Sequence, residues 1–259
     1  MSNYHATYFS TFLYKLFYFS FIILLLSFIQ PTKQVNSQER NTGISQVWSG
    51  SDRNGRGDVF YFTIRLEITG STISGTHLWI SNSQVKTAGT IIGLTVGPQI
   101  EFDRRDTNSS YAASFIGNFT NNSLTMSGEW TDSNGDSGTW EANKVIEDAI
   151  TFSRSWSGFT QTSSGQKFFF SWHTTRNSSE ITGLYYQGSQ ILATITGMLD
   201  GRMILVTRKD NGTSYQAAFV GLLRSDDTAM TGTWTDTNGG SGIWNASAIT
   251  QLYLPFLSR

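Results

Sequence analysis

The residues best suited to chemistry in this chain are aromatic. Trp172, Tyr185 and Trp234 lie in its second half, and His77 and Trp130 stand at matching places in the first for the last two. Flat rings joined by one hydroxyl or one imidazole suit a flat or cyclic ligand, such as a small apolar ring compound or a sugar. The rings stack and the polar atom orients. Core filling competes with that role. Met126 and Met230 share a strand face with Trp130 and Trp234, and large aromatics dominate small cores. Trp48 and Trp156 read as packing into one end of each unit.

Other chemistries find little support. The chain has no cysteine, which removes disulfides, thiolate zinc sites and cysteine nucleophiles together. His5, His77 and His173 hold unrelated places, so a shared metal site is not expected. No nucleophile elbow, Ser-His-Asp order or phosphate loop occurs, and the expectation is a protein without catalysis or cofactor. Asp132-Ser-Asn-Gly-Asp-Ser-Gly138 resembles a calcium loop only at first, because Ser137 and Asn143 stand where a loop Gly and a bidentate Glu are needed. It reads as a hairpin turn. Asp103-Arg-Arg-Asp106 and Thr207-Arg-Lys-Asp210 read as charged hairpin ends in solvent, or as an anion-facing rim. Net charge is −1 and charged residues are 14% of the chain, which gives no electrostatic case for nucleic acid or an anionic membrane.

These residues sit in a duplicated chain. Trp48-Ser-Gly50 returns as Trp156-Ser-Gly158, and Met126-Ser-Gly-Glu-Trp130 as Met230-Thr-Gly-Thr-Trp234. The offset is 108 residues at Trp48/Trp156 and 104 at Trp140/Trp244, so one short deletion near 83–90 separates collinear copies. A period of that length is a small domain, not a solenoid repeat. Phe60, Phe62, Ile64, Leu66 and Ile68 alternate with Tyr61, Thr63, Arg65 and Glu67, which is a half-buried strand. Turn residues recur about every 12 residues and predict strands near 45–53, 59–69, 72–81, 87–96, 99–106, 110–119, 123–133 and 137–145, with eight more in the second copy. No gap holds a crossover helix, so neighbours pair antiparallel. Asn134-Gly135, Asn211-Gly212 and Asn238-Gly239 predict two-residue turns with both central residues at positive φ.

An open eight-strand meander would leave two edges and an apolar face exposed, and closure removes both. The expected fold is all-β: two tandem antiparallel eight-stranded up-and-down barrels, with two β-sandwiches as the alternative. Barrel copies are expected over 47–144 and 155–247, with a polar lead-in at 38–46, a connector at 145–154 and a tail at 248–259. Lys15 precedes an apolar run, Leu16–Ile29, shorter than the roughly 20 residues of a spanning helix. Val35-Asn36-Ser37 then offers a cleavage site, so residues 1–37 read as a secretory signal, with an uncleaved membrane anchor as the rival. Sequons at Asn108, Asn118, Asn121, Asn177, Asn211 and Asn245 follow from composition in a Ser/Thr/Asn-rich chain.

The order of motifs resembles the avidin and streptavidin family, and more loosely the lipocalins. Trp48-Ser-Gly50, Ile73-Ser-Gly-Thr-His77, Ile100-Glu-Phe102 and Leu124-Thr-Met-Ser-Gly-Glu-Trp130 stand in that family's order. Trp156-Ser-Gly158, Ile181-Thr-Gly-Leu-Tyr185, Ile204-Leu-Val206 and Met230-Thr-Gly-Thr-Trp234 repeat it. The resemblance implies an eight-stranded barrel for each copy. It implies Tyr185 as the third-strand tyrosine, with His77 in its place in copy one, and Trp130 and Trp234 as stacking tryptophans. It does not imply biotin binding. The family's first-strand Asn, which meets the biotin ureido oxygen, is replaced by Gly50 and Gly158, and its final-strand Asp has no counterpart.

The sequence therefore reads as an exported, non-catalytic small-molecule or glycan binding protein, or an interaction scaffold. Trp172, Tyr185, Trp234, His77 and Trp130 are the candidate ligand-binding residues, copy two being favoured for its richer aromatic face. The alternatives are an enzyme using a barrel cavity and one outer-membrane-type β-barrel of sixteen strands.

Overall fold

The computed structural model describes residues 43–81, 86–146 and 152–249. The expected signal segment, most of the tail and the centre of the connector lie outside the described residues. The first copy forms β1 (Ile44–Asn54), β2 (Val59–Thr69), β3 (Thr72–Ser81), β4 (Lys86–Val96), β5 (Gln99–Asp106), β6 (Ala112–Thr120), β7 (Thr125–Asp132) and β8 (Ser137–Lys144). The second forms β9 (Ser155–Thr162), β10 (Lys167–Asn177), β11 (Glu180–Gln187), β12 (Gln190–Asp200), β13 (Met203–Asp210), β14 (Gln216–Leu223), β15 (Ala229–Asp236) and β16 (Ser241–Ala248). Each strand pairs antiparallel with the next. β1 then closes on β8 and β9 on β16, giving two closed eight-stranded barrels and neither sandwiches nor one larger ring.

Alternation fixes which residues look inward. In the first barrel Trp48, Phe62, Ile64, Leu66, Ile73, Ile91, Ile100, Phe102, Phe115, Met126 and Trp140 form one buried cluster. A membrane barrel would reverse this, with apolar side chains outside. Trp140 shows how closely the interior is fitted. It lies over the directly paired Gly117 and Gly128, where a Cβ on Gly117 would come within 2.7 Å of the Trp140 ring. Its indole N–H donates to the Glu129 carbonyl at 3.1 Å. Trp244 repeats the seat over Gly221 and Gly232 and donates to the Val220 carbonyl at 3.1 Å.

One end of each barrel is plugged. Trp48 packs on Phe119 with ring centroids 5.8 Å apart. In the second barrel Phe152, from the connector, packs on Trp156 at 5.5 Å, and Trp156 Nε1 donates to Thr174 Oγ1 at 3.1 Å. The opposite ends carry the hairpins around Asp132–Asp136 and Asp236–Gly240.

Those hairpins differ from expectation. Gly135, Gly212 and Gly239 take positive φ, but Asn134, Asn211 and Asn238 do not. The first turn is instead closed by Gly135 N–H to the Asp132 carbonyl at 3.1 Å and Asp132 N–H to the Asp136 carbonyl at 2.9 Å. The Asp132 carboxylate also accepts the backbone N–H groups of Asn134 and Asp136. A type I turn followed by a left-handed glycine needs only one residue at positive φ.

The two barrels also share a face that alternation alone does not reveal. Tyr61 and Ile80, on the outside of β2 and β3, pack with Met203, Leu205 and Val220 outside β13 and β14. Thr63 Oγ1 donates to the Asp200 carbonyl at 2.6 Å, and Arg202 N–H donates to Ser49 Oγ at 2.9 Å. Arg65 pairs with the Asp200 carboxylate. Tyr61 and Thr63, expected on a solvent face, are therefore buried, because the second barrel covers them.

Candidate functional site

The open end of the first barrel holds a cavity of about 400 Å3. Phe60, Trp79, Tyr111, Phe115 and Trp130 supply its aromatic wall, and Asp52, Arg104, Asp106, Asp132 and Asp136 its charged groups. The volume falls within the range of roughly 300–1,000 Å3 typical of small-ligand sites.

Strand parity puts the charged groups inside. Asp52 follows Trp48 and Gly50 on the inner face of β1, and Arg104 and Asp106 follow Ile100 and Phe102 on the inner face of β5. The Arg104 and Asp106 side chains are only 8% and 5% exposed, so the reading of this pair as a charged end in solvent is corrected. Only Asp103 and Arg105 point outward. Arg104 Nε donates to Asp106 Oδ1 at 2.7 Å, and its Nη2 donates to Asp106 Oδ2 at 3.0 Å and to Thr87 Oγ1 at 2.8 Å. The guanidinium lies 4.4 Å from the Trp79 ring centre and 5.0 Å from that of Tyr111. A guanidinium that is paired and stacked in this way is a fixed wall, not a free anion receptor.

Asp52 differs from its neighbours. Its carboxylate accepts a hydrogen bond from Trp79 Nε1 at 2.5 Å, and it forms no salt bridge among the described residues. Burial pushes its pKa up to about 7. The Trp79 hydrogen bond and the Arg104 charge oppose the shift without cancelling it. Trp79 is held in turn by Phe62, stacked 4.3 Å away.

His77 lies edge-on to Trp79 at 5.3 Å. Burial first, and the Arg104 charge second, lower its pKa to about 4, so the ring is neutral near pH 7. Nε2 lies 3.2 Å from the Arg105 carbonyl and must carry the proton, since a carbonyl can only accept. The 3.4 Å approach of Nε2 to Asp106 is then a neutral contact and not an ion pair. Trp130 is buried at the cavity edge, and its indole N–H meets no acceptor among the described residues.

The second barrel keeps part of this arrangement. Arg208 donates to both oxygens of Asp210 at 2.5 and 2.7 Å and stacks 3.9 Å from Tyr185 and 5.2 Å from Tyr215. Tyr215 Oη donates to Asp236 at 3.1 Å. Thr160, Tyr185 and Gln187 replace Asp52, His77 and Trp79. Trp172, Tyr185 and Trp234 all belong to one buried cluster. Phe170 stacks on Trp172 at 4.8 Å and on Tyr185 at 5.6 Å, and Trp172 meets Trp244 at 5.3 Å.

Of the five candidate residues, the structure thus brings Trp130 to the edge of the described cavity and sets His77 against its Trp79 wall. Asp52, Trp79, Arg104 and Asp106 were missed. Parity with neighbouring core residues was the signal that could have found them.

No protein-family model matches the chain, and no curated protein matches it. Among solved structures it is similar to transferrin binding protein B from serogroup B Neisseria meningitidis, at 11% identity and TM-score 0.30, over 73% of this chain and 66% of that one. It is similar to the same-named protein of Haemophilus parasuis, at 8% identity and TM-score 0.29, over 73% of this chain and 63% of that one. The chain therefore spans less than two-thirds of either. It is also similar to the agglutinin of Burkholderia oklahomensis, at 8% identity and TM-score 0.24, over 82% of this chain and 99% of that one. At these values the functional reading rests on the barrels' own residues.

Proposed function

We propose that this is an exported, non-catalytic binding protein whose first barrel takes one small ring-bearing ligand at its open end. The carrying observation is the cavity of about 400 Å3, walled by aromatic rings and holding a buried carboxylate that has no ion-pair partner among the described residues. Aromatic walls with few, fixed polar groups are what a small-molecule site needs. Trp130 is assigned to the wall, and His77 to holding the edge of Trp79. Trp172 and Tyr185 are assigned to packing, because Phe170 and Trp244 already stack on or meet them, and Trp234 joins the same buried cluster.

An enzyme has weaker support, since the neutral His77 donates to a backbone carbonyl and is not paired as a general base. The test is a melting-shift screen of the whole protein against ring-bearing metabolites and short glycans, repeated with Trp130→Leu. Ligands that stabilise the parent and fail to stabilise the variant support the reading. A hit that is indifferent to Trp130→Leu would overturn it.

A further inference from the structure

The cavity in the first barrel has an uneven balance of charge. Asp52, Asp106, Asp132 and Asp136 line it, against one cation, Arg104. Three of the four carboxylates are already engaged. Asp106 is taken by Arg104 through two hydrogen bonds. Asp136 pairs with Arg56 at 2.9 Å at the rim. Asp132 accepts two backbone N–H groups of its own turn and bonds the Tyr111 hydroxyl. Among the described residues Asp52 has only the neutral Trp79 N–H as hydrogen-bond partner, so the full charge of an ionised Asp52 is left for something else to meet.

The single guanidinium does not favour an anion. Arg104 stacks on Trp79 and Tyr111 and its charge is balanced by Asp106, so a ligand carboxylate or phosphate would meet an already neutralised guanidinium beside three further carboxylates. A cation displaces nothing. It gains a charge-assisted hydrogen bond to Asp52, and its ring or alkyl carbons meet the faces and edges of Phe60, Tyr111 and Trp130.

Resting on the binding function proposed above, we infer that this cavity takes a ring-bearing organic cation, a protonated arylalkyl amine whose ammonium sits on the Asp52 carboxylate. The charged and titratable groups that face Asp52 across the barrel are His77 on β3, Arg104 and Asp106 on β5, Tyr111 beside β6 and Asp132 on β7. Raised burial cost keeps Asp52 protonated below about pH 7, while a primary alkyl amine stays charged to about pH 10. Binding of the amine should therefore strengthen as pH rises through about 7 and then level off.

The test uses matched triads that share one ring: tryptamine, tryptophol and indole-3-acetate; phenethylamine, 2-phenylethanol and phenylacetate. Each is titrated calorimetrically into the whole protein at about pH 8 and about pH 5.5, in the parent and in Asp52→Asn. The inference expects each amine to bind roughly tenfold or more tighter than its alcohol at pH 8, with the acid weakest. It expects the amine to lose roughly tenfold or more at pH 5.5, and Asp52→Asn to abolish both the amine preference and the pH dependence. If alcohols or acids bind as well as amines, or if Asp52→Asn keeps the amine preference, the inference is overturned while the binding function stands. If no member of either triad binds the parent and the wider ligand screen is also empty, both fall. If the screen finds only uncharged or anionic ligands lost in Trp130→Leu, the binding function holds and the cation is wrong.

Discussion

Asp52→Asn should stabilise the empty protein, and by an amount that depends on pH. The carboxyl pKa rises from 3.8 to about 7 on folding, mainly because burial disfavours its charge. A group with a raised carboxyl pKa holds its proton in the folded state where the unfolded chain has lost it. Stability therefore falls as pH rises from about 4, and the full penalty is present above about 7. A shift of about 3 units corresponds to about 4 kcal/mol at pH 8, an upper value because local relaxation offsets part of it. The amide removes the charge and keeps an oxygen for the Trp79 N–H, so the variant should equal the parent within about 1 kcal/mol near pH 4 and exceed it by up to about 4 kcal/mol near pH 8. His77 works in the opposite sense. Its pKa falls from 6.5 to about 4, so its contribution is lost as pH falls between those values, by up to about 3 kcal/mol. The two slopes largely cancel in the parent between about pH 4 and 6.5. Asp52→Asn should expose the rising slope of His77, and His77→Gln the falling slope of Asp52. Urea unfolding followed by tryptophan fluorescence at several pH values measures all three proteins. A gap between Asp52→Asn and parent that does not change with pH, or a variant weaker than the parent at pH 8, would refute the reasoning.

Leu205→Lys puts a charge into the apolar face between the barrels, where Leu205 packs with Tyr61, Ile80 and Val220. It should cost several kcal/mol, about what an unpaired buried charge costs, and split one calorimetric transition into two; a single shifted transition would contradict a shared face. Biotin should not bind with nanomolar affinity, because a Cβ at Gly50 would lie 2.0 Å from the Glu141 carbonyl and no ureido-binding side chain fits there; calorimetry checks this. Tyr185→Phe keeps the ring that Arg208 stacks on at 3.9 Å, so stability should stay within about 1 kcal/mol in a thermal melt, and a larger loss would show that the hydroxyl matters.

Much of the fold was legible because alternation, turn residues and duplication all point to it. Phe60 to Ile68 announce β2, and the Trp48-Ser-Gly50 repeat announces a second barrel. The shared face was less visible, because Tyr61 and Thr63 look like ordinary outward residues in one strand. The clue lay in the other copy. Met203, Leu205, Val220 and Leu222 stand where the first copy has Gln99, Glu101, Ile116 and Asn118, so β13 and β14 are apolar on both faces. The described cavity of the first barrel was hard to see for a related reason. Aromatic count drew attention to the second copy, yet Trp172 in place of Ile64 adds a ring to that interior. Arg104 and Asp106 were read by their charge when their parity with Phe102 decides their direction. The Trp79–Asp52 bond joins residues 27 apart, on β3 and β1, and exists only once the strands have paired.

A ligand is expected at the open end of the first barrel. Nitrogen-15 labelling of the tryptophan indoles, with the most stabilising compound from the melting-shift screen added to saturation, tests it most directly. Trp79 and Trp130 line the cavity, and Trp172 and Trp234 belong to the other barrel. The Trp79 and Trp130 indole N–H signals should move while those of Trp172 and Trp234 stay. Movement of the second pair with the first unmoved would contradict it.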